Sequence, residues 1–141
     1  MKSSGVLLAS ALASGLLFAF AAKISLAQAK SVHGTYHVAV KIVAGKYPVV
    51  NQEPIVVLRD EHSAEIVWEL PPSPSPYRFH EDGIAIDYDQ FLGCRPVAHG
   101  LKYACVDRHP RTHKLYPYRI TVYGSGKDPE PLTSDAAVLN D

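Results

Sequence analysis

The strongest constraint on the fold is a two-residue rhythm. From Thr35 to Val43, Tyr36, Val38, Val40 and Ile42 alternate with His37, Ala39 and Lys41, so one face of an extended chain is apolar and the other polar. The rhythm returns at Ala64–Leu70, where Ala64, Ile66, Trp68 and Leu70 oppose Glu65 and Glu69. Such strands bury one face and wet the other. Trp68 has apolar neighbours two residues away on both sides and is expected as the buried anchor of a central strand. No stretch of residues 30–141 carries a convincing helical period.

Other segments read as strands or as punctuation. Gly45-Lys46-Tyr47-Pro48 breaks the first strand, with Val49-Val50 as a short extension. Ile55–Leu58 is a continuous apolar run, short enough for a strand buried on both faces. Four prolines in six residues, Pro71-Pro72-Ser73-Pro74-Ser75-Pro76, favour an extended path that crosses between two sheets. Tyr77–His80 and Ile84–Tyr88 are expected as a hairpin around Glu81-Asp82-Gly83, the glycine taking positive φ. Leu101–Asp107 is expected to pair with Leu115–Tyr123, with Pro117 at an edge or a bulge. About seven closely spaced strands predict an all-β, antiparallel sandwich over residues 30–124. Residues 125–141 read as a C-terminal tail whose last part would dock.

Residues 1–29 read as a cleaved secretion signal. Lys2 begins it, an apolar run extends from Val6 to Ala22, and Ala27-Gln28-Ala29 supplies a small-x-small cleavage pattern. The competing reading is an uncleaved anchor, which would be the protein's one contact with a membrane. The mature chain, Lys30–Asp141, is then expected in a periplasm or outside the cell. It carries 12 Lys+Arg against 14 Asp+Glu, a balance with no bulk attraction to nucleic acid. Residues 93–123 depart from it, with 6 basic side chains and 1 acidic. That segment would suit an anionic ligand or an acidic face of a protein partner.

The same segment holds both cysteines, Cys94 and Cys105. In an oxidising compartment they are expected to pair as a disulfide across a hairpin, because Pro96 and Gly100 let the chain turn back between them. Downstream, Arg108, Arg111 and Lys114, beside Tyr116 and Tyr118, form a basic loop over 108–114 able to grip a phosphate, a carboxylate or a sulfated sugar. Catalytic patterns are poor. There is no Gly-x-Ser-x-Gly elbow, and Glu81, Asp82, Asp87 and Asp89 do not follow a calcium-loop spacing. The expectation is a protein that binds and does not catalyse.

Cys105-x-x-x-His109-x-x-x-His113 between two strands resembles the ligand loop of cupredoxins. More loosely, the chain is similar to small exported bacterial β-sandwich proteins of immunoglobulin-like or cupredoxin-like fold. The cupredoxin resemblance implies a copper site with Cys105 as thiolate, His109 as imidazole and His62 or His80 as the upstream imidazole. The sole methionine is Met1, so His113 would stand in for the axial ligand. A copper or zinc site built from histidines alone would use His109, His113 and His99. His33 and His37, four residues apart in a strand, would lie about 13 Å apart, too far for one ion.

Overall fold

The computed structural model describes residues 34–58, 63–72, 75–108 and 113–141. The expected signal segment and His33, His62, His109 and Arg111 lie outside the described residues. Nine strands are present among the described residues: β1 (Thr35–Val43), β2 (Tyr47–Val50), β3 (Ile55–Val57), β4 (Ala64–Glu69), β5 (Ile84–Ala85), β6 (Phe91–Val97), β7 (Lys102–Asp107), β8 (Leu115–Tyr123) and β9 (Pro131–Asn140). They form a five-stranded sheet, β2-β1-β4-β7-β6, and a four-stranded sheet, β3-β9-β8-β5. Among the described residues no helix is long and apolar enough to cross a membrane.

Alternation predicts the inner faces of β1 and β4 correctly. Tyr36, Val38, Val40, Ile66 and Trp68 are all at most 1% exposed. From the other sheet Ile55, Val57, Tyr118, Ile120, Val122 and Val138 join the same apolar cluster. The indole Nε1 of Trp68 donates to the Tyr118 hydroxyl at 3.2 Å, and the two rings meet edge-on at 5.3 Å. One side chain from each sheet thus satisfies the other's polar group inside the core, as buried Trp and Tyr require.

The expected all-antiparallel arrangement is corrected: both sheets are mixed. β1 runs parallel to β4, and β3 runs parallel to β9. The first pair arises because the chain leaves β1 through the β2 hairpin, contributes β3 to the other sheet, and only then returns as β4. Where β2 stops covering β1, the next residues take over. Asn51 Oδ1 accepts the Ala39 amide at 2.9 Å, and Gln52 Nε2 donates to the His37 carbonyl at 3.0 Å. Exposed backbone groups at that edge are satisfied without a strand.

Three further expectations change. Ile55–Leu58 is not buried on both faces, since Val56 and Leu58 are 39% and 42% exposed. Segments 77–80 and 84–88 do not pair with each other. Arg78 bridges to Tyr123 and Ile84 pairs with Ile120, so both lie along β8. The Asp82-Gly83 turn persists, Gly83 N–H donating to the His80 carbonyl at 2.9 Å. Glycine is needed there for proximity, not for positive φ: a Cβ on Gly83 would lie 2.7 Å from the Tyr103 ring and 2.9 Å from that of Phe79. Finally, β7 and β8 are not partners. β7 sits between β4 and β6, β8 between β9 and β5, and the chain between them crosses from one sheet to the other.

The proline-rich stretch joins sheets as predicted. Leu70 N–H still bonds to Leu101 at 2.9 Å beside the five-stranded sheet, whereas Arg78 already exchanges hydrogen bonds with Tyr123 of β8. Residues 131–140, expected in a docked tail, are instead a ten-residue strand inside the four-stranded sheet.

Candidate functional site

The candidate site is the end of the molecule where β7 hands over to β8. Its foundation is the β6–β7 hairpin, closed by Cys94–Cys105 with Cα atoms 4.2 Å apart. Leu92 pairs with Val106 and Arg95 with Ala104, leaving Gly93 and Cys94 together opposite Cys105. This is a β-bulge, and Gly93 takes φ 62° to make it. Cys105 faces Ile66 on the inner side and is 0% exposed, so the bond points into the core.

Two residues beyond Cys105 the chain is held again. The side-chain amide of Gln90 donates to Asp107 Oδ1 at 2.6 Å, with Asp107 fully buried. The Arg108 amide donates to the Gln90 carbonyl at 3.1 Å. On the far side of the crossover, the Lys114 carbonyl accepts from Asn140 N–H at 3.0 Å. His113 has φ 47°, a left-handed turn just before β8. Arg108, His113 and Lys114 are exposed, and the Lys114 ammonium lies 5.1 Å from the centre of the Tyr116 ring. A cation on each side of the crossover therefore projects from a backbone tied into a sheet.

Tyr116 and Tyr118 are corrected as ligand contacts. They are 5% and 2% exposed, because even-numbered residues of β8 face the core. Tyr116 packs edge-on against Phe91 at 5.3 Å. Burial pushes the Tyr118 phenol up to about 12, against a smaller opposing effect of the Trp68 hydrogen bond. These rings support the site from beneath.

The metal set fares differently. The Cys105 sulfur is bonded to Cys94 and offers no thiolate. His99 sits in the 3-10 turn Ala98–Gly100 before β7, while His113 follows the crossover after β7. The length of β7 separates those two ends by roughly 17 Å, beyond the reach of one ion. Among the described residues no three His, Cys, Asp or Glu side chains are grouped to hold a metal. His37 Nδ1 lies 2.5 Å from Glu69 Oε1, with Lys102 3.8 Å from the same carboxylate's other oxygen. His80 stacks on Tyr123 at 4.2 Å, and the Tyr123 hydroxyl donates to Asp82 at 2.7 Å. That hydrogen bond raises the Tyr123 phenol above its ordinary value.

Sequence reasoning missed the exposed pair Arg119–Asp135, whose guanidinium Nε lies 2.8 Å from Oδ1. Their mutual hydrogen bond raises the arginine and lowers the carboxyl. An open cavity of about 490 Å³ adjoins the pair, lined by Ala85, Pro117, Tyr118, Arg119 and Asp135. Nothing short of the β8–β9 register could have revealed it, because Asp135 lay in the expected tail. No protein-family model matches the chain, and no curated protein sequence matches it significantly.

Proposed function

We propose that this is an exported, non-catalytic β-sandwich of immunoglobulin-like or cupredoxin-like kind that binds an anionic partner at the β7–β8 crossover. The partner chemistry is a phosphate, a carboxylate or a sulfate, on a small molecule or on a protein. One observation carries the reading: Arg108 and Lys114 are exposed while their backbones are hydrogen-bonded to Gln90 and Asn140. Cations on a prearranged backbone lose little conformational freedom when they bind, so more of the electrostatic attraction survives as affinity. Export is supported by the Cys94–Cys105 bond, which belongs to oxidising compartments.

The test is an NMR titration of the mature protein with inorganic phosphate and with a sulfated oligosaccharide. Saturable shifts at the Arg108 and Lys114 amides are expected, falling away as salt rises. The pair Arg108→Glu and Lys114→Glu should abolish them while leaving Trp68 fluorescence unchanged. Binding undiminished in that variant would refute the reading, as would shifts confined to another part of the molecule.

A further inference from the structure

Both cations of the crossover lean on one short piece of chain, Gln90 and Phe91, where β6 begins. The Arg108 amide is bonded to the Gln90 carbonyl, and the Gln90 side chain holds Asp107. On the other side, the Lys114 ammonium lies 5.1 Å from the Tyr116 ring centre, and that ring packs edge-on against Phe91. Gln90 and Phe91 in turn donate their amides to the Asp87 carbonyl, at 3.1 and 2.9 Å. A shift of these two residues is therefore felt at both cations.

This end of β6 is poorly joined to the rest of its ladder. Phe91–Asp107 and Leu92–Val106 pair before the bulge, and Arg95–Ala104, Pro96–Tyr103 and Val97–Lys102 pair after it. A bulge interrupts the hydrogen bonding between the two parts. β6 is also the outer strand of its sheet, with no strand on its other side among the described residues. The Cys94–Cys105 bond sits at the interruption and is the covalent link across it. Without such a link, a short terminal set of rungs opens locally at lower cost than the centre of a sheet. The Cys94 sulfur also lies 3.9 Å from the Phe91 carbonyl oxygen. In the disulfide it carries no proton, whereas as a thiol it is a weak donor beside that backbone group. The two states of the cysteine pair thus differ at the residues on which the cations lean.

We infer that the Cys94–Cys105 pair is a redox switch for the crossover site. Bonded, it holds the Arg108 and Lys114 backbones ready for an anion. Reduced, it leaves the domain folded, with the Trp68–Tyr118 contact of the core intact, but loosens Gln90 and Phe91 and weakens the grip. The inference rests on the anion-binding reading of the crossover and adds its regulation. The two sulfurs differ in access: Cys94 is partly exposed on the outer strand, and Cys105 is 0% exposed. The thiolate of an external dithiol therefore attacks Cys94. The S–S bond breaks, and its electron pair goes to the Cys105 sulfur, which takes up a proton. The dithiol's second thiolate then attacks its own sulfur in the mixed disulfide and releases Cys94, which is protonated in turn. The cysteine pair has gained two electrons and two protons, and the dithiol has become a disulfide. Binding and reduction are linked both ways, so a bound anion opposes reduction by the factor by which reduction weakens binding.

The test compares the mature protein before and after treatment with dithiothreitol, with a Cys94→Ala, Cys105→Val double variant as a permanently untethered form. Phosphate titration followed by NMR should give a Kd at least about fivefold weaker for both untethered forms. Solvent exchange of the Arg108 amide should quicken by a similar factor, while Trp68 fluorescence and circular dichroism stay unchanged. A monothiol, β-mercaptoethanol, added instead and quenched with acid, should be found by peptide mass on Cys94. Saturating phosphate should shift the dithiothreitol equilibrium toward the bonded form. Equal affinity in the bonded and untethered proteins overturns the inference. So does an adduct on Cys105, an Arg108 amide indifferent to reduction, or unfolding of the reduced protein. If the bonded protein binds neither phosphate nor a sulfated oligosaccharide, the binding reading fails by itself, and Arg108 amide exchange still decides whether the cysteines control the crossover.

Discussion

Trp68 of β4 and Tyr118 of β8, fifty residues apart in the chain, are joined by a 3.2 Å hydrogen bond in the middle of the core. Both are nearly inaccessible, at 0% and 2% exposure. The bond ties the five-stranded sheet to the four-stranded one and leaves neither polar atom unpaired. A double-mutant cycle with Trp68→Phe and Tyr118→Phe should show coupling of about 1–2 kcal/mol, the sum expected for one net hydrogen bond and an edge-on ring contact. Urea denaturation of the four proteins measures it, and additive single effects would contradict the contact.

The disulfide should make a large contribution to a domain this small. Closing the short loop between Cys94 and Cys105 constrains the unfolded chain, worth about 3 kcal/mol on the entropy argument. Reduction, or a double change to alanine, should therefore lower the urea midpoint without altering β-rich circular dichroism under native conditions. Two reactive thiols in the unreduced protein would contradict the bond itself.

Two buried tyrosines predict alkaline sensitivity. Burial pushes both Tyr103 and Tyr118 up to about 12 from an ordinary value of 10. Below pH 10 both phenols are neutral in the folded and unfolded chain alike. Between pH 10 and 12 the unfolded chain ionises them while the folded protein does not, so the unfolded state binds fewer protons. Stability is fully present below pH 10 and falls as pH rises through that window. Absorbance at the phenolate band should show a subset of tyrosines titrating late, and Tyr118→Phe should flatten part of the stability loss. Eight tyrosines titrating together near 10 would contradict the burial.

Local physics made some of this legible. The faces of β1 and β4 follow from alternation, because a strand's side chains point to opposite sides whatever its partners are. Pro117 was readable as an edge residue for the same reason, since its missing amide can only face an unpaired side. β6 was hidden because Gly93, Cys94 and Pro96 interrupt its pattern, and its bulge shifts the register. β9 was hidden because its inner face includes Ser134 and Asn140 among apolar residues, which dilutes the rhythm. The basic crossover was visible as charge, but the burial of Tyr116 and Tyr118 depends on which face β8 turns to the core.

The sequence by itself determined a β-rich chain, its buried tryptophan, a cysteine pair able to close, and a basic segment beside that pair. Those are properties of neighbours within a few residues, where sterics, alternation and short loops act directly. Tertiary structure alone decided that β7 and β8 part company into different sheets, that β1 and β3 find parallel partners, and that the C-terminal strand sets Asp135 beside Arg119. Each of these brings together residues far apart in the chain. The outcome depends on which pairing buries the most apolar surface at once, and no local pattern carries that comparison.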